Sequence, residues 1–595
     1  MINYEGLLVI LVIVFIILSL YHDWLGPGFT FSAGIAVLGV FRVVTPVEIL
    51  AGFANEQIAI IVMLLLIGDI IRKSGILDQL FSLWFENANT YGKFSRRMLF
   101  MVSGFSAFMN NIPIVAIMMP YVHSWSTKNN LSPSKLLIPL SYAAILGGCA
   151  TLIGTSTNLL VAGMVTDQQI IELEPLNIFD FSPVGVTMII VGVSYILLFS
   201  HRLLPDKKSA ADEMAINGRE YFTEVRIPPG SKMAGLTLKE AGLSDMKGLY
   251  LIEILRGSEI LSPVPPYIRL MEDDVLIFAG DTAAITGIMG GSNGMQLSQV
   301  GMYARKERTE IVEVVIPANS MLVSKPVNEA NFRGRFDAAV IAVHRNGERI
   351  TGKTGDVKLM TGDVLLLITG DDFMKRANDT QDIYIINRLR EIKKQPLYKK
   401  LVLAGGLLLV VIAAALGVVK LFTGLLSLLL LIYFLRLSSP KELTSSIDFS
   451  LVLVIGLSLA LGTAMSKSGV AGAFADAAFK FSSNYGMVGV LATIFLVTNV
   501  LGAFITNKAA VAIIFPVALS MAAEMGFDPK PFILTVAFGG AASFMTPSGY
   551  QTNLMIYGPG GYAFRDFLRI GVPLTILYMI VTVAGLIWQF DLKLI

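Results

Sequence analysis

The chain has 595 residues, of which 54% are hydrophobic and only 15% are charged, and its mean hydropathy is +0.68. This composition excludes an ordinary soluble protein and predicts an integral membrane protein. The net charge of +2 gives no electrostatic reason to expect nucleic-acid binding, and the single cysteine, Cys149, excludes an intrachain disulfide.

Apolar runs that are long enough to cross about 30 Å of hydrocarbon recur along the chain. Six of them lie near 5–22, 28–44, 54–72, 96–126, 135–165 and 182–200, and six more lie near 400–419, 421–436, 449–466, 486–523, 531–558 and 568–590. The first run lacks the basic start and the cleavage site of a secretory signal, so it is predicted to be retained as a helix. Positions 201–400 hold 28 of the 46 Lys+Arg and 26 of the 44 Asp+Glu, which predicts a soluble insert between two membrane halves.

Two apolar stretches with polar centres match each other at an offset of 396 residues. The stretch 106–120 has Asn110-Asn111 at its centre, and the stretch 502–516 has Thr506-Asn507. The motifs that follow them also match, Gly147-Gly148 with Gly539-Gly540 and Thr157-Asn158 with Thr552-Asn553. Such an internal duplication is typical of secondary transporters.

Basic residues in short loops predict the orientation of the segments. Lys and Arg residues lie on both sides of the first polar-centred stretch, at 72–97 and 128–135, so both of its ends are expected in the cytoplasm. That stretch is therefore predicted to be a re-entrant hairpin. Loop 166–180 has no Lys or Arg and is placed outside. Counting the later membrane crossings from this loop predicts that the second hairpin enters from the outer face of the membrane. The two repeats are therefore predicted to be inverted.

The predicted fold class is a polytopic α-helical membrane protein with two inverted repeats, each with a re-entrant hairpin and a broken helix. A cytoplasmic α+β insert of two tandem modules separates the repeats. We expect ten spanning helices, two opposed hairpins and both termini outside. The predicted domains are a first membrane repeat at 1–200, insert modules at 201–300 and 301–397, and a second membrane repeat at 398–595.

The polar centres predict a binding site. Irregular backbone at membrane depth is tolerated only where it is buried in protein or lines a watery cavity, and half-helix N-termini at the breaks favour an anion. Carbonyl, amide and hydroxyl oxygens at the same breaks suit a hard monovalent cation such as sodium. The alternative is that Gly, Ser and Thr only let helices pack closely, which is less favoured for four motifs in duplicated register.

Lys508 follows Asn507, where the first half has Ile112. Because a lysine at the membrane centre is costly, Lys508 is expected to pair with an anionic substrate or to replace one cation. The alternative is a lysine that snorkels to the interface. Asp69 is the nearest candidate for a proton relay, although a local pairing with Arg72 or Lys73 is the favoured interpretation. The scarcity of such carboxylates favours sodium coupling over proton coupling.

These motifs resemble the divalent-anion:sodium symporter family (solute carrier family 13, within the ion-transporter superfamily). The tips Asn110-Asn-Ile112 and Thr506-Asn-Lys508 stand where that family carries two Ser-Asn-Thr motifs. The strings 151–158 and 546–553 look like its second pair of motifs and are most similar to its sulfate-transporting branch. The resemblance covers both membrane halves and implies a homodimer, in which each protomer has a scaffold and a mobile transport domain.

The resemblance also implies the site residues. The implied substrate-binding residues are Asn110, Asn111, Thr157, Asn158, Thr506, Asn507, Lys508, Thr552 and Asn553. One implied sodium site consists of Ser106, Asn110, Asn111 and Gly154, and a second consists of Thr506, Asn507 and Ser548. The chain departs from the family pattern at Met109, Asn110, Gly502 and Lys508. Because of these departures, the resemblance supports the second sodium site less strongly than the first.

The insert repeats at an offset of 89 residues, since 224–228 matches 313–317 and 270–276 matches 359–365. Short β-rich runs between turn residues predict two small α+β modules, and these look like paired TrkA C-terminal domains. No Gly-x-Gly-x-x-Gly follows a strand, so NAD is not implied. A small cytoplasmic regulator, a dimer contact and a structural role are all open for the insert.

An enzyme is not expected, because the four histidines are scattered and no metal-ligand or nucleophile spacing occurs. The expected function is a secondary active transporter of the cell membrane. It imports a small divalent oxyanion, sulfate first, with sodium as the coupling ion and without a cofactor. A dicarboxylate substrate is the nearest alternative, and a sodium/proton antiporter or a regulated anion channel are further ones.

Overall fold

The computed structural model describes residues 4–592 apart from two groups of gaps. The longer gaps are 168–174, 208–221, 244–248, 281–295, 298–309, 387–400 and 438–448, and the shorter ones are 23, 86–87, 89, 130, 258, 262–263, 265–266, 319, 346–347, 351–353, 371, 379, 436 and 483–484. The acidic part of the predicted outer loop, 168–174, therefore lies outside the described residues.

Helices make up the first part of the chain. They are α1 (Tyr4–Tyr21), α2 (Pro27–Val40), α3 (Pro46–Ala51), α4 (Glu56–Lys73), α5 (Ile76–Phe85), α6 (Tyr91–Ser106), α7 (Asn111–Lys128), α8 (Leu137–Gly148), α9 (Ser156–Asp167) and α10 (Ser182–Leu203).

The middle of the chain forms two five-stranded antiparallel sheets. The first sheet contains β1 (Phe222–Arg226), β2 (Leu249–Arg256), β3 (Glu259–Leu261), β4 (Val275–Gly280) and β5 (Gln296–Leu297) in the order β3-β2-β4-β1-β5. The second sheet contains β6 (Glu310–Val315), β7 (Ala338–Arg345), β8 (Glu348–Arg349), β9 (Val364–Thr369) and β10 (Tyr384–Ile385) in the order β10-β6-β9-β7-β8, with helices α11 (Phe332–Phe336) and α12 (Phe373–Asn378) beside it. The two orders are the same when one is read in reverse.

A buried aspartate stands at the same place in each sheet. Asp274 is fully buried and pairs with Arg256 at 2.9 Å, while Asp363 is fully buried and pairs with Arg345 at 2.7 Å. The hydrogen bond from Arg345 to the Asp363 carboxylate raises the pKa of this guanidinium. A buried carboxylate needs such a partner, so the arginines stabilise the sheets. The module boundaries and the TrkA likeness stay predictions.

Helices return in the last part of the chain. They are α13 (Gly406–Ala415), α14 (Leu421–Phe434), α15 (Phe449–Lys467), α16 (Val470–Ser482), α17 (Gly486–Phe504), α18 (Asn507–Met525), α19 (Pro529–Ala541), α20 (Gln551–Tyr557) and α21 (Phe564–Gln589). The succession from α15 to α21 parallels that from α4 to α10: two helices joined by a Ser-Gly break, two helices joined at a polar tip, a helix followed by an irregular segment and a further helix, and a long helix.

Five helices of the described chain are long and apolar enough to cross a membrane, namely α1, α10, α17, α18 and α21. Two bent pairs, Pro46–Ala54 with Glu56–Ile71 and Val452–Lys467 with Val470–Lys480, raise the number to seven if each pair is one span. A multi-pass α-helical membrane protein is thus confirmed. The ten spans, the re-entrant hairpins and the inversion of the repeats remain predictions.

The irregular segments that interrupt the helices are held by the same bonds in both halves. The Asn158 Nδ2 donates to the Thr151 carbonyl at 2.9 Å, and the Asn553 Nδ2 donates to the Thr546 carbonyl at 3.1 Å. The hydroxyls of Thr151 and Thr546 in turn donate to the carbonyls of Ala107 and Ala503 at the hairpins. These bonds give hydrogen-bond partners to backbone carbonyls where the helices are interrupted.

The second sheet packs onto the helical part of the molecule. Four of its side chains, Val315, Val364, Tyr384 and Ile386, belong to the same buried hydrophobic cluster as the helices. His123 Nε2 of α7 lies 4.0 Å from Glu313 Oε2 of β6. At the end of α20 the contact is so close that a Cβ on Gly558 would lie 2.5 Å from the Gly362 carbonyl oxygen. This sheet therefore lies against the region of the hairpins.

Candidate functional site

A cavity of about 230 Å³ lies where the first turns of α7 and α18 approach each other. The predicted site residues in its wall are Asn110, Thr157, Thr506, Asn507, Lys508 and Ser548. Its wall also includes Asp69 of α4, Tyr550 before α20, and Gln381 and Tyr384 from the second sheet. The cavity thus combines the two membrane halves with the insert.

Each hairpin tip begins a helix with a capping side chain. Asn110 Oδ1 accepts a hydrogen bond from the Ile112 amide at 3.2 Å, and Thr506 Oγ1 accepts one from the Ala509 amide at 3.2 Å. Such caps let α7 and α18 start among apolar neighbours. Pro113 is compatible with the first turn of α7, because N–H groups there have no intrahelical partner. Both helices direct their partly positive ends toward the cavity.

Asn111 lies behind the first tip and is only 1% exposed. Its Oδ1 accepts a hydrogen bond from the Ser106 hydroxyl, and that hydroxyl also lies 2.7 Å from the Ala144 carbonyl oxygen. Its Nδ2 donates to the Tyr550 hydroxyl at 2.7 Å. The Tyr550 hydroxyl is 3.3 Å from Thr155 Oγ1. This network joins the first hairpin to the irregular segment of the second half.

Oxygen atoms crowd around two glycines next to Asn111. A Cβ on Gly154 would lie 2.6 Å from the Gly148 carbonyl oxygen and 2.7 Å from that of Ser106, and a Cβ on Gly148 would lie 2.9 Å from Asn111 Oδ1. Only glycine permits this close approach. Ser106, Asn111 and Gly154 of the first predicted sodium site therefore lie together, and Asn110 lines both the cavity and a smaller pocket that it shares with Gly154. The Ser106 hydroxyl has a single proton for the two oxygens that it contacts, Asn111 Oδ1 and the Ala144 carbonyl.

The second tip finds its hydroxyl partner elsewhere. Gly502 stands where the first half has Ser106, and Ser543 of the irregular segment donates to Asn507 Oδ1 at 2.7 Å. The Ser548 hydroxyl lies 3.5 Å from the Ala503 carbonyl. Ser543 was not among the predicted residues, although it belongs to the polar motif 539–553. The absence of a hydroxyl at Gly502 was the sequence signal that could have directed attention to another hydroxyl, such as that of Ser543.

Four predicted substrate residues, Asn111 among them, lie outside the cavity wall. Asn158, Thr552 and Asn553 are fully buried. Asn158 and Asn553 hold the irregular segments, and Thr552 Oγ1 lies 2.8 Å from the Ser141 hydroxyl of α8. These side chains bond to other parts of the protein and do not face the cavity.

Lys508 and Asp69 bring opposite charges to the same cavity. Lys508 is half-buried in its wall, in the first turn of α18. Asp69 is 6% exposed and accepts a hydrogen bond from Gln381 Nε2 at 3.0 Å. The side chains of Arg72 and Lys73, its expected local partners, lie outside the described part of the chain. Within the described residues, no group of His, Cys, Asp and Glu could hold a metal ion of the usual enzyme type.

Known proteins resemble this chain over nearly its whole length. The family model described as a citrate transporter (CitMHS) matches residues 10–498 and 407–591. A Chlamydomonas reinhardtii protein named as a sulfur deprivation response regulator is 32% identical over 91% of this chain and 94% of its own length. An uncharacterized transporter of Synechocystis sp. is 30% identical over 98% of this chain and 96% of its own. Sodium/sulfate cotransporter 2 of C. reinhardtii is 24% identical over 95% of this chain and 87% of its own.

Proposed function

Because the chain belongs to the citrate transporter family, within the divalent-anion:sodium symporters, we propose that it imports a small divalent oxyanion, sulfate first, together with sodium. The sulfate assignment draws on the relatives named as sodium/sulfate cotransporters. The protein would work in the cell membrane, with the insert in the cytoplasm and with a second copy as its partner.

The observation that carries this proposal is the cavity between the two tips. Two helix N-termini each present about half a positive charge, and Lys508 adds a full one in the same wall. Together they amount to about two positive charges, which suits a dianion. Amide groups of Asn507 and the first-turn N–H groups supply hydrogen-bond donors for its oxygens.

The oxygen cluster at Ser106, Asn111 and Gly154 supports the cation half of the proposal. It lies directly behind the first tip and is built of amide, hydroxyl and carbonyl oxygens, which are the ligands that sodium prefers. A cation there would offset the Asp69 carboxylate, which otherwise opposes an anion in this cavity. Ser543 with Asn507 and Thr506 forms the corresponding polar group at the second tip.

Alternating access would move the tips across the membrane. The hairpins α6–α7 and α17–α18 with the broken helices α8–α9 and α19–α20 would form the mobile part, and the other helices the scaffold. The elevator-type movement and the dimer are proposed from the resemblance to the symporter family. A rigid pore fits poorly with two helices that both end inside the protein.

Uptake into proteoliposomes tests the proposal. We expect an inward sodium gradient to drive radiolabelled sulfate above its equilibrium level, and an equal potassium gradient to leave it at that level. Asn507→Ala should reduce this uptake, while Ser520→Ala, which only removes a bond to the Pro516 carbonyl within α18, should not. Sulfate uptake that ignores sodium would refute the symport.

A dicarboxylate is the second candidate substrate, because the matching family model is described as a citrate transporter. Competition separates the two substrates: unlabelled succinate or citrate should displace sulfate only if the cavity accepts carboxylates.

A parallel assay tests the coupling ion. In it a pH gradient replaces the sodium gradient, because Asp69 could carry a proton in place of a sodium ion. Uptake driven by protons alone would show that a proton takes the place of sodium as the coupling ion.

A further inference from the structure

The two tip asparagines occupy matching positions in the repeats but have different bonding partners. For Asn111 both ends of the amide are engaged, since Oδ1 accepts from the Ser106 hydroxyl and Nδ2 donates to the Tyr550 hydroxyl at 2.7 Å. For Asn507 the amide oxygen is engaged, since Oδ1 accepts from the Ser543 hydroxyl at 2.7 Å. An asparagine amide has one acceptor end and one donor end, so the two side chains match at the acceptor end and differ at the donor end, which is occupied in Asn111 and unpaired in Asn507 among the described residues.

The orientation of Asn111 follows from Tyr550. With Nδ2 held by the tyrosine, Oδ1 faces the Ser106 hydroxyl. This is the oxygen cluster with the carbonyls of Ser106 and Gly148. Asn111 therefore adds an oxygen to the cluster and has its donor end occupied.

The orientation of Asn507 leaves its donor end toward the cavity. Asn507 lies in the cavity wall, and its Nδ2 has no hydrogen-bond partner among the residues that the structure describes. An amide N–H attracts an oxyanion and repels a cation. The Asn507 amide at the second tip can therefore donate a hydrogen bond to the anion.

We infer that Tyr550 is a positioning residue that commits Asn111 to the cation and leaves Asn507 as the amide donor to the anion. This inference rests on the proposed function and deepens it. Thr155 stands at the matching place in the first repeat, and its shorter side chain meets the Tyr550 hydroxyl at 3.3 Å. Tyrosine at one of the two positions makes the two tip asparagines unequal at their donor ends.

The substitution Tyr550→Phe removes the hydroxyl and keeps the ring. Asn111 then has no fixed partner for Nδ2, and its amide can rotate so that N–H groups face the oxygen cluster. A cation there would be repelled. Tyr195→Phe is the matched control, because the Tyr195 hydroxyl also joins the two halves through the Ile570 carbonyl at 3.1 Å but lies outside the cavity wall.

The test uses the full-length protein in proteoliposomes, with sodium activation and sulfate KM measured separately. We expect Tyr550→Phe to raise the half-saturating sodium concentration about five- to tenfold, and to leave the sulfate KM at saturating sodium within about twofold. Asn507→Ala should show the reverse pattern, and Tyr195→Phe should resemble the wild type. An unchanged sodium curve for Tyr550→Phe, or an equal loss of both affinities, would overturn the inference.

Thermal unfolding in sodium chloride and in choline chloride, without sulfate, separates this inference from the proposed symport. A wild type that is stabilised by sodium, with less stabilisation in Tyr550→Phe, supports the positioning role even if uptake proves independent of sodium. A wild type that responds to sodium in neither assay overturns both the inference and the symport.

Discussion

Lys508 is the charge that most distinguishes the two tips at the scale of single residues. Its counterpart, Ile112, lies in the wall of the same cavity, so the two sides of the site differ by one positive charge. The sequence interpretation left two roles open, pairing with the anion or replacement of a cation. A position in the first turn of α18, beside Asn507, favours pairing with the anion.

The substitution Lys508→Thr tests this role. Loss of a charged hydrogen bond of about 1.5–3 kcal/mol should raise the sulfate KM at least tenfold, with little change in the sodium dependence. Lys480→Gln removes an exposed lysine of α16 and should leave both values as they are. A steeper sodium dependence with an unchanged KM would instead assign Lys508 to the place of a cation.

At the scale of elements, the sequence predicted the helix breaks but not the contacts across them. Asn110, Pro113 and Thr506 have local preferences that end or begin a helix, so the breaks at the tips could be read from the chain. The family resemblance is confirmed by the family match. Which segment meets which tip depends on packing between distant parts of the chain, and this is why Ser543 and Tyr550 were missed.

The glycine of α8 that faces the first hairpin gives a test at this scale. A Cβ on Gly147 of α8 would collide with the backbone of Ser103 in α6. A Cβ on Gly104, which also lies in α6, would meet nothing within 4 Å. Because backbone cannot move as easily as a side chain, we expect Gly147→Ala to destabilise the protein by about 1–3 kcal/mol and Gly104→Ala to be neutral. Thermal unfolding of the purified variants measures both, and equal melting temperatures would contradict the close packing.

At the scale of the whole molecule, the second sheet contacts several parts of the transport machinery at once. Gln381 bonds to Asp69 of α4, while Gly362 and Glu313 lie against the end of α20 and against α7. In the proposed movement α4 belongs to the scaffold, and α7 and α20 belong to the mobile part. The sheet therefore has to change its contacts in each transport cycle.

Cross-linking tests this requirement. The only native cysteine, Cys149, is buried, so a short bifunctional thiol reagent acts mainly on introduced cysteines. We expect the Asp69→Cys/Gln381→Cys pair to lose sulfate uptake after treatment with a reducible reagent, and to regain it after reduction. Each single variant treated in the same way should keep its own rate. Full uptake by the cross-linked pair would mean that the sheet does not need to move.

The central claim is that sodium and a dianion cross the membrane together. Since coupling is reciprocal, an inward sulfate gradient must drive sodium inward when no sodium gradient is present. We predict that radiolabelled sodium accumulates in proteoliposomes only while the sulfate gradient lasts, and that Asn507→Ala reduces the accumulation. Entry of sulfate without any accumulation of sodium, at a clamped membrane potential, would contradict the account.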